Sequence, residues 1–330
     1  MNARDTASAP HPALVARAGD RFDPESTALH GSRLLPAPCE CCQGARHGRR
    51  LFGRLLLATG AAAALPATAK DGEGIEVGKN SRWTKLVPAE QVEQAAAQQY
   101  LQLQREAASK GALAPPDHPQ LIRLRYIAQR MIPYANTWNA RAQGWRWEVN
   151  LLGSAQVNAF CMPGGKIAFF HGILAKLQLS DDEVAVIMGH EMAHALREHA
   201  REQMGKQTAA RVGANVLSGL LGLGSVGDAV TRMGAELLSL RFGREDESEA
   251  DLVGLELAAR TGYQPAAGVS LWQKMGELNR DAPPQWLSTH PSGPSRIKDI
   301  EANLPKVQPL FAKAEKPSRR FAAPPPPKQG

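Results

Sequence analysis

The run His190-Glu191-Met192-Ala193-His194 constrains this chain more than any other stretch. In a helix, two histidines four residues apart lie one above the other, so both rings can reach a single ion. The sequence around them predicts a helix. Ser180 reads as an N-cap, Asp181, Asp182 and Glu183 fill the first turn, and Glu183 stands at the capping-box position. Apolar residues then recur at Val184, Val186, Ile187, Ala193 and Leu196. Gly189 interrupts the run at a cost of about 1 kcal/mol against alanine. It reads either as a packing glycine or as room for the close approach of another backbone or a substrate. The H-E-x-x-H pattern predicts two histidine ligands for zinc, with Glu191 as the carboxylate that works on a water beside them.

A zinc site needs a third protein ligand. Glu247-Ser248-Glu249-Ala250-Asp251 follows His194 by 53 residues, in a second helical run from about Glu245 to Thr261. Glu247 and Asp251 share a helix face. Glu247 is the expected ligand. Asp251 is expected behind it, accepting the free ring N–H of a ligand histidine and fixing its tautomer. Glu249 points elsewhere and should be solvated. His199, five residues after His194, rotates off the ligand face and should lie at the surface, while His171 should open a helix.

These two motifs together resemble the zinc metallopeptidases of the HtpX, CAAX prenyl endopeptidase and periplasmic BepA- and LoiP-type group, peptidase family M48, of the gluzincin kind. The resemblance runs from about Pro88 to Pro305. It includes Ser239-Leu240-Arg241-Phe242-Gly243-Arg244 before the third ligand, Asn158 to Ile167 as a hairpin, and Ser288-Thr289-His290-Pro291-Ser292 with Arg296. Phe242-Gly243-Arg244 departs from the family's usual Tyr-Ser-Arg, which should loosen the turn before the third-ligand helix.

The resemblance implies an α+β fold: a mostly helical, zincin-like domain with a small sheet and hairpin flanking the catalytic helix. It implies a zinc endopeptidase in which His290 or Arg296 donates to the oxyanion. A second role for His290 stays open, that of a neutral imidazole lying on the free metal position in a resting enzyme. Asn158-Ala159-Phe160 also resembles the edge strand of thermolysin-like peptidases, where an extended peptide binds by main-chain hydrogen bonds. The expected partners are then unfolded or misassembled proteins, with peripheral membrane or outer-membrane assembly contacts. The rival classes are a chaperone-like or regulatory binding module on the same fold and a hydrolase of non-peptide amides.

Composition sets the remaining bounds. The 330 residues are 43% hydrophobic, enough for one sizeable core, and the net charge of +7 is diffuse. No basic stripe with interleaved aromatics points to nucleic acid. Residues 1–69 read as an extension and an export signal. Arg49-Arg50-Leu51-Phe52 resembles a twin-arginine signal, the apolar run from Leu55 to Pro66 follows, and Ala67-Thr68-Ala69 offers a cleavage site. That run is shorter than the roughly 20 residues a spanning helix takes. The expected location is the periplasm, with an uncleaved N-terminal anchor as the alternative. Cys39, Cys41 and Cys42 precede the cleavage site, so Cys161 remains without an intramolecular partner.

Residues 70–305 read as the catalytic domain and 306–330 as a disordered Pro/Lys-rich tail. Within the domain, helices are expected at Glu90–Lys110, Leu121–Ala135, Pro265–Leu278 and Ser295–Asn303, and a strand at Trp145–Leu152. Val212–Gly227 reads as a lid over the cleft or as a packed loop.

Overall fold

A computed structural model describes residues 74–215, 233–234, 236–278, 285–291 and 294–326. The expected leader, Cys39, Cys41, Cys42 and most of Val212–Gly227 lie outside them. In chain order the elements are α1 (Ala89–Ser109), α2 (Pro119–Met131), β1 (Glu148–Leu152), β2 (Ala159–Met162), β3 (Lys166–Phe170), α3 (His171–Lys176), α4 (Asp181–Leu196), α5 (His199–Asn215), α6 (Arg244–Arg260), α7 (Ala267–Leu278), α8 (Gln285–Thr289) and α9 (Pro294–Lys313). The fold is α+β, mostly helical around one small sheet.

Apolar content explains the sheet. Every residue of β3 is buried, and β3 lies between β1, parallel, and β2, antiparallel, in the order β1-β3-β2. A strand buried on both faces is expected to read as a continuous apolar run, and Lys166-Ile167-Ala168-Phe169-Phe170 nearly does. The β2–β3 turn needs left-handed backbone at two positions, and glycine fills both: Gly164 (φ +80°) and Gly165 (φ +76°). β2 is left as an edge strand. β1 begins at Glu148 rather than Trp145. The Trp145 and Trp147 indoles instead donate to Glu93 Oε1 and to the Ala142 carbonyl, outside the ladder.

Helix α4 forms for the local reasons the sequence offers. Ser180 and Glu183 make a reciprocal capping box, and three acids occupy the first turn. Nearly the whole helix is buried, so tertiary packing holds it more than propensity does. Its first residue, Asp181, takes the guanidinium of Arg123 from α2 at 2.7 Å, and both side chains are almost fully buried. The same guanidinium donates to the Leu179 carbonyl at 2.7 Å.

Gly189 makes room for another backbone. A Cβ there would lie 2.7 Å from the Gly254 carbonyl oxygen of α6, and a Cβ on Gly254 would lie 2.7 Å from the His190 amide nitrogen. Both neighbours are backbone, so α4 and α6 touch main chain to main chain. Gly254→Ala should therefore destabilise by about 1–3 kcal/mol through overpacking, outweighing the roughly 1 kcal/mol that helix propensity returns. Thermal unfolding of the zinc-free protein measures this, and an unchanged midpoint would show that the helices part freely.

Two expected boundaries shift. α2 stops at Met131, and Pro133 falls in a following 3-10 turn, since proline cannot donate within a helix. The tail expected to be disordered beyond Pro305 is folded in its described part. α9 continues through Pro305 and Pro309 to Lys313, and Val307 is fully buried. Residues 315–326 then continue without helix or strand against the domain. The Phe321 amide donates to Asp181 Oδ2 at 2.8 Å, and the Ala322 and Pro324 carbonyls accept from Gln120 and Gln178. Apolar burial overrides the proline content here. Among the described residues, no helix is long and apolar enough to cross a membrane.

Candidate metal centre

The crossing of α4 and α6 brings their polar residues together. α4 contributes His190, Glu191 and His194, α6 contributes Glu247 and Asp251, and the segment after α8 adds His290. All six are buried. His190 Nε2 lies 3.1 Å from His194 Nε2 and 3.3 Å from His290 Nδ1. Glu247 Oε1 lies 3.0 Å from His290 Nδ1 and 3.5 Å from His194 Nε2. One donor atom from each of His190, His194, Glu247 and His290 falls within 4.8 Å of all the others.

A tetrahedron of ligands about 2.05 Å from zinc has edges of about 3.3 Å. Four of the six spacings in the cluster, 3.0 to 3.5 Å, scatter around that value, and all donors lie within 4.8 Å of one another. The donor set of imidazoles and one carboxylate also suits zinc. Burial, with His190, His290 and His199 close by, holds the His194 pKa well below the usual imidazole range, which keeps the neutral form that binds metal.

The carboxylates are held from behind. Asp251 Oδ1 lies 3.0 Å from His190 Nδ1, so the histidine's far nitrogen has its acceptor. Burial alone would raise the Asp251 carboxyl, but Arg296 and His190 outweigh it and hold it below the usual range. Arg296 differs from its expected place. Its Nε and Nη2 grip both Asp251 oxygens at 2.7 and 2.6 Å, its Nη1 donates to Glu247 Oε2 at 2.6 Å, and its guanidinium lies 3.7 Å over the Trp272 ring. Those bonds occupy the donors an oxyanion would need, so Arg296 organises carboxylates instead.

A cavity of about 570 Å³ opens in front. Glu191, His194 and His290 line one side, and Asn158, Ala159 and Phe160 of the edge-strand region line another. Trp286 Nε1 donates to Glu191 Oε1 at 2.6 Å, and the same indole stacks on His290 with centroids 5.0 Å apart. Phe242 stacks on His194 at 4.0 Å. The turn expected to be loose at Gly243 is tied down, since its amide donates to Asp246 Oδ2 at 2.9 Å.

Two further expectations are corrected. His199 is buried, with Nδ1 2.9 Å from His194 Nδ1. Counting five residues off the ligand face assumes a continuous helix, whereas α4 ends at Leu196 and Glu198 takes left-handed backbone (φ +60°) that turns the chain back. Glu249 is likewise not solvated but half-buried, paired with His199 Nε2 at 2.8 Å and Arg197 Nη2 at 2.9 Å. Trp286 carried no periodic signal that could mark it.

Residues 122–304 match the model of peptidase family M48. The chain belongs to that family. It is 40% identical over 171 residues to the mitochondrial metalloendopeptidase OMA1 of Arabidopsis thaliana, covering 52% of this chain and 34% of that protein. It is 29% identical over 215 residues to the OMA1 of Saccharomyces cerevisiae, covering 62% and 61%. It is 26% identical over 203 residues to the metalloprotease LoiP of Escherichia coli, covering 61% and 77%. The chain thus spans from about a third to three fifths of the OMA1 proteins it matches.

The expected periplasmic location does not stand, because the plant and yeast relatives are mitochondrial by name. A basic run ahead of a short apolar run is an address read by a receptor, and the pattern alone does not say which membrane reads it.

Proposed function

We propose that this chain hydrolyses peptide bonds in extended segments of unfolded or misassembled proteins, as part of protein quality control. His190, His194 and Glu247 hold the metal, Glu191 is the general base, and His290 covers the remaining position in a resting state. The observation that carries this reading is the buried cluster of donor atoms from His190, His194, Glu247 and His290 with Glu191 beside it, its Oε1 3.7 Å from His290 Nε2. Zinc, when bound, supplies Lewis acidity to the scissile carbonyl.

The residues do the rest. Glu191 takes the proton of the attacking water and returns it to the leaving amine. Trp286 fixes one oxygen of that carboxylate and leaves the other for the proton. Asp251 accepts from His190 Nδ1, so the Nε2 lone pair faces the metal. The β2 edge, entered through Asn158, Ala159 and Phe160, offers main-chain groups to a substrate strand with little demand on its side chains. Contacts with a membrane or an outer-membrane assembly form no part of this reading.

Digestion of casein with and without a chelator tests the activity, and turnover indifferent to chelation would overturn it. His290→Ala tests the resting state. Removing an occupant that holds most molecules closed should raise casein turnover by about tenfold or more. A donor to the oxyanion would instead cost about 100- to 1000-fold when lost.

A further inference from the structure

His194 has a partner on the side away from the metal, and the hydrogen bonds there allow only one arrangement of protons. If Nε2 of His194 holds the metal, its Nδ1 carries the hydrogen and must donate. His199 Nδ1, 2.9 Å away, must then accept. A neutral imidazole has one hydrogen, so that of His199 sits on Nε2, where Glu249 Oε2 accepts it at 2.8 Å. Arg197 Nη2 holds the other Glu249 oxygen at 2.9 Å and also donates to the Gly78 carbonyl. Each link needs the next one in that orientation.

We infer that His199 is a positioning residue for the metal centre, and that the chain His194–His199–Glu249–Arg197 fixes the tautomer and ring angle of the second ligand as Asp251 does for the first. The inference rests on the proposed role of His194 as a ligand. The fold supplies this chain deliberately from two directions. The left-handed turn at Glu198 carries His199 under His194, and α6, which brings Glu247 and Asp251 to the metal side, presents Glu249 to His199. His199 is itself almost wholly buried, so no water replaces it as acceptor without rearrangement. Phe242, stacked on the His194 ring, closes the remaining face.

The test is zinc affinity of the full chain, measured with zinc alone by competition against a chelating dye. The proteins compared are wild type, Glu247→Ala, His199→Leu, His199→Asn and Glu249→Leu. His199→Leu removes the acceptor and should weaken zinc about 10- to 100-fold. His199→Asn places an amide oxygen where Nδ1 stands and should restore affinity to within about threefold of wild type, which a merely space-filling role would not predict. Glu249→Leu, at a partly exposed site, should weaken zinc by less, about 3- to 10-fold, and serves if His199→Leu fails to fold.

Should His199→Leu and Glu249→Leu both bind zinc within about twofold of wild type while Glu247→Ala has lost it, the positioning role is overturned and the metal reading survives. A wild-type protein that takes up no zinc overturns the metal reading, and this inference with it.

Discussion

Glu191→Gln is expected to keep one zinc per chain and to lose casein turnover by about 100- to 10,000-fold, the range a positioned general base contributes. The substitution conserves volume in a buried site. The amide oxygen can still accept from Trp286 Nε1, which now donates to the carboxylate at 2.6 Å, so the fold and the cavity wall should survive. What is lost is a group able to take a proton. The four clustered donor atoms do not include Glu191, so metal content should not follow activity down. Metal analysis and casein digestion on one preparation decide the matter. A zinc-loaded Glu191→Gln protein turning over within about tenfold of wild type would remove Glu191 from the mechanism.

Glu247→Ala should lose zinc to a chelator concentration that leaves the wild type loaded. The side chain is the single carboxylate in the donor cluster, and it sits within 3.0 to 3.6 Å of donor nitrogens on His290, His194 and His190. Burial alone would raise its pKa, yet the His290 hydrogen bond, His190 and Arg296 lower it, so it stays ionised and available. Removing it also takes from Arg296 Nη1 its carboxylate partner and leaves it the Pro291 carbonyl at 3.4 Å, while the two Asp251 bonds remain as the guanidinium's ionic partners. Truncating one member of a buried charge network costs about 3–5 kcal/mol. Glu247→Gln, which keeps the volume and a weaker oxygen donor, separates lost ligation from lost stability. Full zinc content in both variants would sink the third-ligand assignment.

Some of this was readable in the chain and some was not. The capping box at Ser180, the four-residue spacing of His190 and His194, and the shared face of Glu247 and Asp251 are local signals. Local geometry carried them into the fold: α4 starts directly after Ser180, and α6 lies within a residue of its expected limits. His199 was lost to a single backbone angle: whether Glu198 continues a helix or turns left-handed is settled by packing, not by propensity. Arg296 was legible as a residue near the site but not as the clamp on two acids, because which carboxylate a guanidinium meets depends on α9 crossing α6. Trp286 offers no pattern at all, since one indole in a short helix looks like any core residue. The residues beyond Pro305 misled for a different reason: their proline content suggested disorder, while Val307 and Leu310 supplied enough apolar surface to dock the helix.

The stretch after α9 also changes where this folded unit can be cut. The match to the family model stops at residue 304, yet Phe321 is hydrogen-bonded to the same Asp181 that opens the helix carrying His190 and His194. At the other flank, Ile75 lies before that match begins at residue 122, and its amide is held by the buried carboxylate of Glu256 in α6. Both ends of the described chain are therefore stitched to the two helices that carry the proposed ligands His190, His194 and Glu247. An excised fragment spanning only residues 122–304 would keep every proposed ligand and lose both stitches.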